Sequence, residues 1–382
     1  MSERYYRSTL VNVDLEAVHH NYKVIQGRHP AKTFIAVVKA NGYGLGSNTV
    51  AGYLADRGVG YFAVATLDEA IDLRMHGTKE KILVLGRIDP GDINKAIQHR
   101  VAVTAADLDW VREAISNVDD TYDKEVWIHI KVNTGMNRYG TKDVAEIRTM
   151  IGEINSFDRF IYEGIFSHMT SADEDRDITD QEIEAFRAII NQVERPRYVH
   201  IQNSAGALCY DVDFCNALRI GISLYGYYPS PETKAATDIR LKPSIELTAR
   251  VAAIHKLAPG DSVSYGRTYT AEQEETIATL PVGYADGFIR KMSGYAVEVG
   301  GSQCPVVGRV CMDSTMARVP EGTKVGDVAC IISYDADAPQ SMDVYSEYVD
   351  TIPYESLTLL SRRIPRHYKG EGTDFIYNEV LK

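Results

Sequence analysis

Eight short apolar runs, separated by amphipathic stretches, fill roughly the first 225 residues of the chain. They are Phe34–Ala40, Tyr61–Ala65, Lys81–Gly86, Arg100–Thr104, Val126–Val132, Ile161–Ser167, Arg197–Gln202 and Ala217–Gly221. Each is rich in Val, Ile and aromatic residues, and most are too continuous to leave one face in water. Strands buried on both faces of a parallel sheet read this way. The segments between them carry helical spacing, as in Leu67–His76, Asp143–Ile154 and Gln181–Val193. Asp14 is placed to cap a further helix over Leu15–Gln26. The count of eight points to the α/β class and to a (β/α)8 TIM-like barrel. An open doubly wound sheet is the competing topology.

Near Lys242 the pattern changes to alternation, with Gly- and Pro-containing turns between short β runs through Tyr334. This predicts a mainly antiparallel β domain. The expected layout is an N-terminal strand over 1–12 that joins the β domain, a barrel over 13–236, and the β domain over 237–382. Thr233–Arg240 reads as a linker, and Tyr354–His367 as a helix ended by Pro365.

Composition narrows the function. A chain of 382 residues suits two domains. Its net charge of −12 argues against a nucleic-acid partner, which calls for a basic stripe. The five cysteines form no CxxC pair, so neither a zinc ribbon nor a disulfide scaffold is expected, and no metal site. Free thiols suit a reducing compartment, and the expected location is cytoplasmic. The polar start is not read as a signal peptide, and no run of about 18 apolar residues predicts a membrane span.

Lys39 is the first residue out of place. It ends an apolar strand, where an ammonium is costly unless neutral, paired or covalently used. A desolvated lysine has a lowered pKa and suits Schiff-base chemistry. The alternative is a lysine that snorkels to solvent. Gly42, Gly44 and Gly46 resemble a dinucleotide phosphate loop, but Ser47 stands where GxGxxG needs glycine. With Asp68 near the position of a ribose-binding acid, a nicotinamide oxidoreductase is a rival.

Other candidates fall at predicted strand ends. Lys131 and Arg138 follow the fifth run, His168 the sixth, Asn203 and Ser204 the seventh; Arg219, Gly221 and Ile222 belong to the eighth. The Ser204 hydroxyl and the amides of Gly221 and Ile222 would make a phosphate cradle, where barrels often place one. The β domain offers Tyr265, Tyr284, Met312 and Asp313. Arg362 and Arg363 could reach an anionic ligand, but read first as a solvated helix end.

The whole chain resembles the alanine racemase family. The carrying segments are VVKANGYGLG (37–46), KVNTGMNRYG (131–140), FSHMTSAD (166–173), HIQNSAG (200–206) and LRIGISLYG (218–226). VSYGRTYTA (263–271), LPVGYADG (280–287), GRVCMDSTM (308–316) and TIPYESL (351–357) extend the likeness across the β domain. The resemblance implies pyridoxal 5′-phosphate, a small amino-acid substrate, and a head-to-tail homodimer that shares its active sites. It decides against the nicotinamide reading.

The resemblance also implies roles. Lys39 and Tyr265 would be the two catalytic acid–base groups, Lys39 also bearing the cofactor and Tyr265 reaching in from the partner. Tyr43, Ser204, Gly221, Ile222 and Tyr354 would hold the phosphate, with Asn203 beside them. Arg219, oriented by His200, would face the pyridine nitrogen; His168 would pack by the ring and Arg138 reach its hydroxyl. Arg138, Met312, Asp313 and Tyr284 would serve the substrate, with Tyr284, Asp173, Arg290 and Arg309 at the entrance. Lys131 matches a lysine often carbamylated in the family. Asn133 replaces an aspartate there, and Met169 an aromatic. The implied function is two-base interconversion of L- and D-alanine, supplying D-alanine for peptidoglycan. A broader amino-acid racemase, a decarboxylase of the same architecture and a non-catalytic carrier are the alternatives.

Overall fold

A computed structural model describes residues 5–381. Of the strand expected over 1–12, residues 1–4 lie outside the described residues. The chain divides into two compact units. One comprises His19–Gly42 and Ser47–Leu241; the other comprises the described residues up to Val18, Tyr43–Gly46 and everything from Lys242 onward. The first strand, β1 (Thr9–Asp14), belongs to the second of these.

The first unit is a (β/α)8 barrel. Its strands are β2 (Thr33–Val37), β3 (Tyr61–Val64), β4 (Lys81–Val84), β5 (Val103–Ala105), β6 (Val126–Lys131), β7 (Phe160–Phe166), β8 (Tyr198–His200) and β9 (Ala217–Ile220). They pair in parallel in the orders β4-β3-β2-β9 and β5-β6-β7-β8. Backbone bonds close the two seams. Val84 N donates to Ala102 O (2.9 Å) between β4 and β5, and Arg219 N to Gln202 O (3.1 Å) between β8 and β9. Every residue of β3, β5, β8 and β9 is buried, which is why the runs lack alternation. Helices return the chain on the outside, and their starts are chemically set. The side chains of Thr66, Asp107, Asp143 and Asp175 each accept a hydrogen bond from a first-turn amide. The stretch read as a linker instead opens with a helix, Pro231–Ala236, because Ser230 caps it and Pro231 suits its first position.

The second unit is mainly antiparallel. Its strands after β1 are β10 (Ile245–Arg250), β11 (Ala253–Leu257), β12 (Ser262–Val263), β13 (Tyr269–Thr270), β14 (Glu275–Leu280), β15 (Ala296–Val299), β16 (Ser302–Pro305), β17 (Thr315–Val319), β18 (Val328–Ile332), β19 (Arg366–Gly370) and β20 (Thr373–Tyr377). A seven-stranded sheet runs β16-β15-β18-β10-β1-β19-β20, beside a three-stranded sheet β11-β14-β17 and the ribbon β12-β13. β1 and β10 alternate buried and half-exposed residues, as strands with one wet face should. The tail differs from its reading: the helix is only Pro353–Leu359, and Arg366–Gly370 is a strand. The chain leaves the helix at Leu360, in extended backbone, and Ser361 N donates to Asp286 O (3.1 Å). Among the described residues no helix is long and apolar enough to cross a membrane.

Candidate active site

In the barrel unit the candidate residues collect at the C-terminal ends of the strands. Lys39 follows β2. After it the backbone makes a left-handed turn: Ala40, Asn41, Gly42 and Tyr43 all have φ between 52° and 61°. Only Gly42 adopts this freely; a left-handed non-glycine residue costs about 1–2 kcal/mol. Strain of this kind clusters at functional sites. Local bonds hold the turn. Ala40 N donates to Glu69 Oε1 (2.6 Å), while Glu69 Oε2 accepts from Ala65 N (2.8 Å). Ser47 N donates to Asn41 Oδ1 (3.2 Å). So the Gly42–Gly46 run starts as a left-handed turn tied to Glu69 and Asn41, and the helix Ser47–Ala55 follows it. Burial, then the nearby cations Arg138 and Arg219, lowers the pKa of Lys39 against an opposing pull from Glu69.

Arg219, on β9, is the best-anchored cation of this face. Its Nη1 donates to His200 Nδ1 (2.6 Å). Its Nη2 donates to Ser167 O (2.8 Å), His168 Nδ1 (3.1 Å) and Ile201 O (3.2 Å). Both terminal nitrogens are thus committed to protein acceptors. Burial pushes its pKa down to about 10, so it stays charged at neutral pH. His168 and His200 are held well below the ordinary histidine value, first by burial and then by Arg219. Each ring also faces an Arg219 donor at Nδ1, which an imidazolium, protonated on both nitrogens, could not accept, so both rings are neutral.

Next to them lies the expected cradle. Asn203 caps the turn after β8, its Oδ1 accepting from Gly206 N (2.9 Å). That fixes Ser204, whose Oγ accepts from Gly221 N (3.1 Å) and Ser223 N (3.4 Å). Ile222 opens the next turn and is fully buried. Met169 is buried beneath this turn, its sulfur against Gly206 and its carbonyl accepting from Asn203 Nδ2 (3.2 Å). It supports the cradle from below, at the position where the resemblance implies an aromatic.

Lys131 ends β6 and is buried, its Nζ 4.9 Å from the centre of the Phe166 ring. Burial, with Arg219 and Arg138, holds its pKa far below the usual lysine value. Arg138 is exposed on the loop that follows. Asn133 organises that loop: its Oδ1 accepts from Asn137 N (3.0 Å) and Gly135 N (3.2 Å). An amide does there what an aspartate would do, without its charge. Asp173 is half-buried in the loop after β7, its carbonyl accepting from Ser230 Oγ (3.1 Å).

The second unit carries the remaining candidates in two groups. Tyr43 is buried and Tyr354 half-buried, with ring centres 6.2 Å apart. Burial raises the Tyr43 pKa, so its hydroxyl is a donor, not a base. In the other group, Tyr265, Met312 and Asp313 line one cavity of about 380 Å³ with Ser264 and Cys311. Tyr284 N donates to Cys311 O and Ala285 N to Met312 O, both at 3.0 Å, which sets Tyr284 beside Met312. Tyr265 stands on a strained turn, flanked by positive φ at Ser264 (68°), Gly266 (72°) and Arg267 (49°). It is 70% exposed, Met312 53% and Tyr284 40%. Arg309 and Arg290 are exposed, Arg309 with its guanidinium against Gly266.

The barrel's donor set fits pyridoxal phosphate. A lysine with a depressed pKa, a hydroxyl-and-amide cradle and an immobilised guanidinium occur together on one face. Among the described residues no group of three or more His, Cys, Asp or Glu side chains is arranged to hold a metal ion.

The linear pattern missed two kinds of supporting residue. Glu69 and Asp286 are carboxylates that fix backbone turns. Arg363, read as a solvated helix end, bonds both Asp286 and Asp313. A capping-box spacing, Thr66 to Glu69, was the one available signal for Glu69.

Comparison with known proteins agrees along the whole length. The family described as "Alanine racemase, N-terminal domain" matches residues 13–229, and "Alanine racemase, C-terminal domain" matches 244–368. The chain is 50% identical over 382 residues to an alanine racemase of Staphylococcus saprophyticus, covering all of both chains. It is 49% identical over 383 residues to that of Macrococcus caseolyticus, with the same coverage. Among solved structures, alanine racemase from Bacillus anthracis with bound L-Ala-P superposes with a TM-score of 0.93 at 35% identity, covering 99% of each chain.

Proposed function

The chain belongs to the alanine racemase family, and from that premise we propose that Lys39 and Tyr265 are the two bases with which it interconverts L- and D-alanine. The reaction depends on pyridoxal phosphate and supplies D-alanine for peptidoglycan. When bound, pyridoxal phosphate would supply an electron sink that acidifies the α-proton. The chain's own residues do the rest.

Inversion requires a proton to leave one face of Cα and another to arrive on the opposite face. Lys39 would hold the cofactor and, as a free amine, would serve one face. Its lowered pKa enlarges the share of neutral amine, the form a base needs. Tyr265 serves the other face through its phenolic oxygen. Arg219 would offer one of its remaining N–H donors to the pyridine nitrogen but would yield no proton, since a guanidinium stays charged. Ser204, the amides of Gly221 and Ile222, and the hydroxyls of Tyr43 and Tyr354 hold the phosphate, with Asn203 fixing Ser204. His168 would pack by the ring, and Arg138 would reach its hydroxyl. The Met312 amide, with Arg138, Asp313 and Tyr284, receives the substrate carboxylate. Asp173, Arg290 and Arg309 join Tyr284 at the entrance.

Lys131 is assigned a carbamate. A neutral buried amine adds carbon dioxide with loss of one proton, and the resulting anion replaces a repulsive cation beside Arg138 and Arg219.

The enzyme works as a homodimer in which each Tyr265 serves the partner's Lys39. The support is the exposure of Tyr265 and Met312, large side chains a solitary chain leaves in water. The working domains are 13–236 and 237–382, with 1–12 attached to the latter. All five cysteines are free, which suits the cytoplasm.

The observation that carries the reading is Lys39, a partly buried amine with a lowered pKa at a barrel strand end. The test is incubation with pyridoxal phosphate and one enantiomer of alanine in deuterated water. Loss of the α-proton signal together with appearance of the other enantiomer supports it. Bound cofactor without exchange or inversion overturns it.

A further inference from the structure

A row of buried polar groups runs inward through the barrel from Arg219. His200 Nε2 lies 3.1 Å from His129 Nδ1. His129 Nε2 lies 3.2 Å from Glu163 Oε2 and 3.1 Å from the Tyr61 hydroxyl, which itself donates to Glu163 Oε2 (3.0 Å). Lys81 Nζ closes the row on Glu163 Oε1. His129 and His200 are fully buried, and Glu163 is 3% exposed. None of His129, Glu163, Tyr61 and Lys81 has a part in the proton transfers above.

The two ends of the row dictate its protons. A guanidinium only donates, so His200 Nδ1 must be an acceptor. A neutral His200 then carries its proton on Nε2 and donates to His129 Nδ1. A neutral His129 carries its own proton on Nε2, facing the Glu163 carboxylate, which only accepts. Every hydrogen bond therefore points from Arg219 toward Glu163. An added proton on His129 Nδ1 would meet the His200 proton head-on. Reversing both rings would set an N–H of His200 against Arg219 at 2.6 Å.

The packing enforces this arrangement. Phe166 stacks on His200 with ring centres 4.9 Å apart and planes 5° from parallel, and Tyr198 stacks on His129 at 6.2 Å and 17°. Gly164 follows Glu163 because any Cβ there would overlap the His129 ring. Burial alone would raise the Glu163 pKa, but His129 and Lys81 bring it down to about 2. Lys81 also lines an open cavity of about 480 Å³ with Arg74, His99 and Trp127, so its charge stays hydrated.

We propose that Glu163 is a positioning residue that, through His129 and His200 locked as Nε2–H tautomers, fixes the Arg219 guanidinium against the pyridine nitrogen. This rests on the racemase reading given above. Outer groups of this kind typically change activity about 10- to 100-fold.

The first test is 15N NMR of the protein labelled at histidine, before and after loading with pyridoxal phosphate. Signals of His129 and His200, assigned with His129→Asn, are expected to show bare Nδ1 and protonated Nε2 in both states. A proton on Nδ1 of either ring overturns the proposal, whatever the enzyme's activity. The second test is Glu163→Gln. The amide must present N–H either to His129 or to the Lys81 ammonium, so one donor is left facing a donor. The expected result is a kcat lowered about 10- to 100-fold, KM within about twofold, a moved absorption band of the bound cofactor, and a changed His200 signal. Wild-type kcat, band and histidine signals together overturn the proposal. If the variant does not fold, the tautomers of the wild-type protein decide. Failure of the wild-type protein to racemise alanine would sink the racemase reading and leave the tautomers to be judged separately.

Discussion

Arg363 ties Asp313 to the buried interior of the second unit: its Nη2 lies 2.6 Å from Asp313 Oδ1 while its Nε lies 2.7 Å from Asp286 Oδ1. Asp286 is fully buried and is also held by Arg7 and by the amide of Gly283 at 3.0 Å. The loop that carries Met312 and Asp313 is thereby fastened to a buried carboxylate.

Arg363→Met should therefore have two effects. Asp286 loses one of its two cationic partners, and stability should fall by about 1–3 kcal/mol. Asp313 is released beside Met312, and KM for alanine should rise severalfold with less change in kcat. The pH dependence has a definite sign. Burial raises the Asp286 pKa, but hydrogen bonds from Arg7 and Arg363 win and hold it below that of an unfolded aspartate. Its stabilising contribution is thus present above the unfolded value of about 4 and lost as pH falls through the folded value. The melting-temperature gap between wild type and variant should narrow below about pH 4. A gap that widened on acidification would contradict this assignment.

Arg219→Glu replaces a group that cannot release a proton with one that accepts a pyridinium partner. A protonated ring is the stronger electron sink, so the carbanion should persist and take its proton at wrong positions more often. Racemisation should fall on the order of 100-fold while half-transamination per turnover rises. Unchanged side-product formation, read from the accumulation of pyruvate, would refute the role.

Lys131 should take up 13C-labelled carbon dioxide, giving a carbonyl resonance that Lys131→Ala abolishes. Activity should drop when the enzyme is prepared free of carbon dioxide and return with bicarbonate. The lowered pKa favours the neutral, nucleophilic amine, and burial should slow hydrolysis of the product.

Much of the barrel was legible because burial on both faces leaves an unbroken apolar run. β3 and β4 fall inside their runs, and β6 spans all but the last residue of its own. The site was legible where chemistry breaks that rule, as at Lys39, Lys131 and Arg219, charged residues in or at the end of apolar strands. Glu163 breaks it too, but within one strand nothing shows that it meets His129 and Lys81 from β6 and β4. Such pairings depend on strand register, which linear spacing does not encode. Arg363 was misread for a related reason. Its partners lie 77 and 50 positions away, so it reads as a solvated helix end, whereas the helix stops at Leu359.

A shared active site can be tested by mixing two dead enzymes. Lys39→Ala should lack one base and the cofactor linkage, and Tyr265→Phe the other base; loss of a positioned acid–base group costs about 10²- to 10⁴-fold. In Tyr265→Phe, α-proton exchange should survive for the enantiomer served by Lys39 and fail for the other. Mixed dimers separate the two arrangements. If each site took both bases from one chain, every site in the mixture would stay defective and activity would not return. If Tyr265 serves the partner's Lys39, a mixed dimer has one site with both lesions and one site with none. Random reassortment makes about half the dimers mixed, so about a quarter of wild-type activity should appear. Its appearance should follow subunit exchange in time, and a rate unchanged from the separate variants would place both bases in the same chain.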